Sequence, residues 1–354
     1  AQTSDWSILS VLHFDLDEGG PVTATGLIAE GWTVYASKTN LYVAQTSDSW
    51  SWWWGWAPAE MTTVIHKFEL DPSAAEPVRY SATGEVTGWI LDQFSLSEYD
   101  DHLRVAATGF DWWWGATPDE EPASSVTVLA DDGLGTLRKV GHVGGLGPGE
   151  RIFAVRFMGA KGYVVTFEQI DPLFTLDLSD PTQPQAVGEL EVTGFSSYLH
   201  PIGDDWLLAV GQEADEEGRV IGLAVSIFDV RDFADPKLAH RYLIEGEDDT
   251  WSWSEALRDH HAFTYHRGVL SIPAYIGGEH ESFSGLLVLA VDPEDGIWEL
   301  GRLDHQDLIS PDGRTWMRRS VYIEDAIYSL SSAGVKVNSL TNPEVELAKV
   351  PFGE

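Results

Sequence analysis

One strand-and-turn pattern recurs along this chain and restricts its fold more than any other feature. Leu173–Pro184 reads LFTLDLSDPTQP, Ile227–Lys237 reads IFDVRDFADPK and Val335–Pro343 reads VKVNSLTNP. In each, an alternating strand runs into an Asp/Asn-Pro turn, where the side chain caps the bend and Pro fixes φ. Weaker copies stand at Leu12–Asp17, Ile65–Asp71, Val126–Asp132 and Leu286–Pro293. Most copies are preceded by a hairpin, two β-rich runs around a polar turn, starting at Thr33, Phe94, Phe153, Tyr198, His261 and Ser320. Such runs, separated by Gly, Asp or Asn, are the sequence signature of a hairpin.

Hairpin and turn-ended pair together make a four-stranded unit, strands A to D, with a period of roughly 45 to 60 residues. Six A–B hairpins and seven C–D pairs can be counted in the sequence. The expected fold is all-β: a β-propeller of four-stranded antiparallel blades, one domain over residues 1–354, with seven blades. The first blade is expected to be incomplete, since Trp6–Glu30 supplies C and D alone. A propeller covers its edges by closing a ring. The missing strands are therefore expected from upstream chain or from another subunit. A pair of β-sandwiches is the rival fold, but its strands would not repeat one turn chemistry at this period.

Charge and composition exclude several functions. There are 57 acidic and 21 basic residues, a net charge of −36. Such a chain repels nucleic-acid phosphates, which excludes DNA and RNA as partners. The acidity reads as a solvated surface, or more sharply as oxygen ligands for Ca²⁺. With no cysteine, disulfides, thiol catalysis and thiolate metal sites are excluded. No apolar run reaches the roughly 18 residues of a membrane span. The zinc-protease, nucleophile-elbow, P-loop and EF-hand motifs are absent. Gly144–Gly149, GGLGPG, leads into a strand and lacks the helix N-terminus that would hold a phosphate.

The stretches VYASKTNLYVAQ, TTVIHKFEL, DQFSLSEYDDHLRVAAT, SEALRDHHAF and RRSVYIEDAIYSLSS, with the long PGERIFAVRFMGAKGYVVTFEQIDPLFTLDLSDPTQP, run from about Val34 to Ser332. In these the chain resembles secreted bacterial and archaeal proteins with a C-terminal β-propeller distantly related to WD40 repeats. The resemblance implies the fold and an exported, cell-envelope location. It brings no catalytic residues with it. Members of that family are longer at the N-terminus, in keeping with the incomplete first blade.

Ten of the 16 tryptophans lie in three clusters. The first holds Trp50, Trp52, Trp53, Trp54 and Trp56, the second Trp112, Trp113 and Trp114, and the third Trp251 and Trp253. The first two fall in insertions, 46–61 and 110–124, between strands B and C; the third precedes a strand A. B–C and D–A loops of a propeller emerge on one face, so the three clusters are expected to share it. Neighbouring Trp side chains diverge along an extended chain, so some rings must reach solvent. Exposed apolar patches mark contact surfaces, and Trp is enriched at binding hot spots. Proteins, sugar rings and cationic groups are all suitable partners.

Strand A of each blade is expected to line the central channel. Aligning these strands by their turns brings Arg156, His200, His260 or His261, and Arg319 to similar positions. Such groups suit an anion or an acid–base pair. His200, His260, His261 and Asp259 are weak candidates for a metal. The plainer reading is hydrogen bonding between blades.

The expected function is an exported, non-catalytic binding or scaffold propeller whose Trp-rich face docks a protein or glycan. The alternatives are an enzyme at the channel mouth (hydrolase, lyase or metal-dependent oxidoreductase) and a structural subunit of an extracellular assembly. No cofactor is expected, with Ca²⁺ or a transition metal left open.

Overall fold

The structure, a computed structural model, describes residues 7–16, 22–47, 61–109, 123–167, 171–215, 219–244, 251–278, 282–308 and 315–352. Alternating β-branched and aromatic residues between Gly-, Asp- and Pro-marked turns give strands throughout, as such patterns favour a pleated surface. The chain divides into two compact units, Ala1–Glu168 with Phe174–Val187, and Gln169–Leu173 with Gly188–Glu354.

In the first unit β1 (Ile8–His13) pairs with β2 (Thr23–Ile28) as a two-stranded antiparallel sheet. Two four-stranded meanders follow: β3 (Thr33–Ala36), β4 (Asn40–Ser47), β5 (Thr62–Leu70) and β6 (Val78–Thr87), then β7 (Leu96–Tyr99), β8 (His102–Gly109), β9 (Ala123–Asp131) and β10 (Leu137–Leu146). The next meander comprises β11 (Arg151–Met158), β12 (Lys161–Phe167), β13 (Asp171–Asp177) and β14 (Gln185–Val192), with residues 171–173 and 188–192 counted to the second unit.

The second unit continues with β15 (Phe195–Ile202), β16 (Trp206–Ala214), β17 (Val220–Asp229) and β18 (Lys237–Ile244). Its next sheet has five strands: β19 (Trp251–Trp253), β20 (Thr264–His266), β21 (Val269–Gly277), β22 (Ser282–Asp292) and β23 (Gly296–Asp304). The last is β24 (Met317–Ile323), β25 (Ala326–Ser331), β26 (Gly334–Ser339) and β27 (Glu346–Pro351). Among the described residues six A–B hairpins and seven C–D pairs are therefore present, as the repeat predicts, and β19 is additional.

Middle strands carry the core. In β16, β21 and β22 the buried positions run almost without a break. This is the pattern of strands covered on both faces. Leu223, Val225, Leu270, Ile272 and Leu287 interlock in the second unit, and Ile65, Leu96, Leu103, Val105 and Leu129 in the first. Each such side chain contributes about 1.5–3 kcal/mol on burial.

The acidic residues of the repeat are turn caps. Asp71, Asp132, Asp177, Asp229 and Asp292 stand at the ends of C strands. Each carboxylate accepts the N–H two residues on, from Ser73 (2.9 Å), Leu134 (2.8 Å), Ser179 (2.9 Å), Arg231 (3.0 Å) and Glu294 (2.9 Å). The Ser73 hydroxyl, the Arg138 guanidinium, the Ser179 hydroxyl, the Arg231 guanidinium and the Asp295 N–H lead the groups holding these five carboxyls below their usual range.

Bulges repeat as well. Ser81, Val140, Ala239, Leu300 and Leu347 are each the extra residue in a D strand. Phe153, Ser197 and Arg318 play that part in A strands. A bulge twists an edge strand and spoils it as a template for further pairing.

Candidate functional site

The first two tryptophan clusters, Trp50–Trp56 and Trp112–Trp114, lie outside the described residues, as do insertions 46–61 and 110–124 except at their ends. The third cluster is described, and it is a strand. Trp251 and Trp253 form β19 with Ser252 between them, and β19 pairs with β21. Side chains alternate along a strand. Ser252 turns inward, donating to the Ile244 carbonyl (2.7 Å) and accepting the Leu223 N–H (2.6 Å). The two indoles point the other way.

Their cross-strand partners set the site. Trp251 lies opposite Gly277, where an added Cβ would come within 2.6 Å of the indole. The missing side chain makes room for the ring. Trp253 lies opposite Tyr275, with ring centroids 5.5 Å apart, and Tyr275 lies 5.3 Å from Trp316. Tyr275 is buried and donates to the Met317 carbonyl at 2.7 Å. Burial, with the nearby Glu255 carboxylate, pushes its hydroxyl up to about 12. Trp251 is 60% exposed and Trp316 47%. The arrangement is an aromatic strip, anchored by a tyrosine and flanked by exposed indoles. Tyr275 and Trp316 are absent from the sequence-based site; the sole hint was their aromatic character beside strand ends.

The channel candidates separate. Counted back from the hairpin turn, Arg156 and His200 are equivalent: each stands two residues before the last pair of its hairpin, Met158–Lys161 and Ile202–Trp206. Arg319 is four residues before the pair Ile323–Ala326, so its expected equivalence fails. His260 and His261 fail as well, because strand A of that sheet begins only at Thr264. Two short 3₁₀ turns precede it. Ser254 caps Glu255–Leu257 by accepting the Ala256 N–H, and Asp259 caps His260–Ala262 by accepting the His261 N–H at 2.9 Å.

Asp259, His260 and His261 form the one cluster of three metal-ligating side chains among the described residues; His200 is not part of it. Asp259 Oδ1 also bonds the His261 ring at 2.9 Å, and its Oδ2 lies 3.7 Å from Arg319. Burial raises the Asp259 carboxyl, but the His261 N–H and imidazole and the Arg319 guanidinium outweigh it and hold the group below its usual range. The carboxylate is thus engaged as a turn cap, with a cation already beside it. His200 instead sits among the rings of Tyr198 (6.4 Å), Phe263 (5.2 Å) and Tyr265 (5.4 Å). Arg156 stacks on Phe94 at 5.0 Å.

Comparison with known proteins gives the family. The model described as Beta propeller domain matches residues 1–342. The chain is similar to an uncharacterized protein of Methanocaldococcus jannaschii, 38% identical over 195 residues, covering 54% of this chain and 28% of that protein. It is also similar to an uncharacterized protein of Archaeoglobus fulgidus, 38% identical over 278 residues, covering 78% of this chain and 36% of that one. The chain thus matches about a third of the length of these curated relatives.

Proposed function

Because the chain belongs to the beta propeller domain family, we propose that it is a non-catalytic binding domain, exported to the cell envelope, whose tryptophan-bearing edge docks a glycan. The carrying observation is the strip of Trp251, Trp253, Tyr275 and Trp316, with indoles open on either side of a buried anchor. Sugar rings present C–H faces that stack on indole, while their hydroxyls find partners in nearby polar groups such as Glu255 and Arg318, which lie within electrostatic reach of Tyr275. A net charge of −36 favours a neutral polymer over an anionic one. Rigid rings lose little conformational entropy on contact, which suits them to this task.

Affinity electrophoresis through gels containing neutral polysaccharides (mannan, soluble cellulose and chitin derivatives) tests the reading. The wild-type chain is expected to be retarded by at least one. Trp251→Ala with Trp316→Ala is expected to abolish the retardation while leaving the β-sheet circular dichroism unchanged. Replacing Trp52–Trp54 and Trp112–Trp114 asks whether the other two clusters join the surface. Unretarded wild type, or an equally retarded double variant, contradicts the glycan assignment; capture of a defined protein lost with the same two tryptophans would replace it.

A further inference from the structure

We propose that a hollow in the first unit, at the edges of β3, β7 and β11, binds a small aryl carboxylate through the guanidinium of Arg156. The hollow measures about 440 Å³ and is lined by Tyr35, Phe94, Leu96, Ser97, Arg156 and Phe157 among others. That volume falls within the range of small-molecule sites.

The argument starts from Arg156 itself. Its Cζ lies 5.0 Å from the centroid of the Phe94 ring, so the guanidinium rests against that ring. Among the described residues it makes no hydrogen bond and no ion pair. In a chain with 57 acidic residues, a cation facing a cleft without a carboxylate is conspicuous. Asp92, whose carboxyl feels the Arg156 charge, is committed elsewhere: its Oδ1 accepts the Phe94 N–H at 2.8 Å.

Arg104 on β8, in another sheet of the same unit, shows what a structural arginine looks like here. It stacks on Tyr99 (5.1 Å) and Phe157 (4.9 Å), and it donates to the Ser97 hydroxyl (2.6 Å) and to the Gly159 carbonyl. Arg156 has the stacking and lacks the acceptors.

Two hydroxyls of the lining also call for an acceptor. Ser97 Oγ accepts from Arg104, and the Tyr35 hydroxyl accepts the Glu98 N–H at 2.9 Å. Each hydroxyl thus keeps its own proton to donate. Planar guanidinium matches planar carboxylate bidentately. A single cation with Asp92 in its field balances a monoanion better than a phosphate dianion. Phe94, Leu96 and Phe157 supply apolar walls for a flat body.

Isothermal titration of the intact chain with benzoate, with inorganic phosphate in parallel, tests the site. Benzoate is expected to bind saturably at one site per chain, at least tenfold more tightly than phosphate. Arg156→Gln is expected to weaken benzoate at least tenfold. Arg156→Lys, which keeps the charge and cannot misfold for lack of it, should lose several-fold through the missing fork. Trp251→Ala, remote in function, should leave benzoate affinity unchanged, so the fate of the glycan reading does not decide this one. No saturable benzoate binding, undiminished binding in both Arg156 variants, or tighter binding of phosphate would each overturn the assignment.

Discussion

Arg156 on β11 and His200 on β15 occupy equivalent hairpin positions, yet their surroundings are opposite in kind. Arg156 rests on one ring and faces a hollow of about 440 Å³. His200 is enclosed by Tyr198, Phe263 and Tyr265. The strand repeat is the same at both positions. What differs is the material brought in by connections: the second unit inserts two capped 3₁₀ turns between β19 and β20, and Phe263 follows directly from them. A repeat therefore fixes where a side chain stands, while the inserted connections decide whether it meets solvent, a ligand or a neighbouring ring.

The contrast can be broken most forcibly at its filled end. Phe263→Ala removes a nearly buried ring packed on Tyr198 and His200. It should cost about 3–5 kcal/mol of stability in urea unfolding, whereas Phe94→Ala should cost clearly less and chiefly weaken benzoate binding. Equal costs at the two sites would erase the distinction.

A second enclosed imidazole sharpens it by pH. His305 is 1% exposed, with its ring nitrogens 2.7 Å from Ser331 Oγ and 2.8 Å from Ser329 Oγ. Burial, aided by Lys336, pushes it down to about 4, against an ordinary value near 6.5. Between those values the unfolded chain binds more protons than the folded one, so stability rises with pH there. The contribution of His305 is complete above about 6.5 and lost as pH falls towards 4, amounting to about 3 kcal/mol. Denaturation midpoints across that window should fall more steeply for wild type than for His305→Gln.

Smaller effects follow at the inserted turn and at the aromatic strip. Asp259→Ala removes a cap and should cost about 1 kcal/mol, read as a shift in thermal midpoint. If zinc instead stabilises wild type but not this variant, the cluster is a metal site and not a cap. Trp251→Ala should change stability by no more than about 0.5 kcal/mol, because the ring is mostly exposed, and should be felt only in glycan retardation.

The sequence disclosed the strands better than the site. Alternation and the Asp or Asn turns were enough to assign every A–B and C–D pair, because hydrophobic period and turn chemistry act locally. Bulges were invisible, since an extra residue at Arg318 or Ala239 leaves the alternation readable in either register. Arg319 was misplaced by two residues: Val321 stands where Arg156 and His200 stand, two residues before the last pair of its hairpin. His260 and His261 were drawn into strand A by a turn-based alignment, although Ser254 and Asp259 carry cap signals that mark separate turns. Tyr275 was missed because it sits within an apolar run, PAYIG, and its pairing with Trp253 depends on contacts across strands. Arg156 was found, but the sequence could not reveal that it alone of the two equivalent residues faces open space.

Chemical labelling of arginines by phenylglyoxal, followed by mass spectrometry of the intact folded chain, tests this difference most directly. Arg156 should be modified at least tenfold faster than Arg104, which is 3% exposed and engaged by Ser97 and Gly159, and benzoate should protect it. Equal labelling of the two, or no protection by benzoate, would contradict the account.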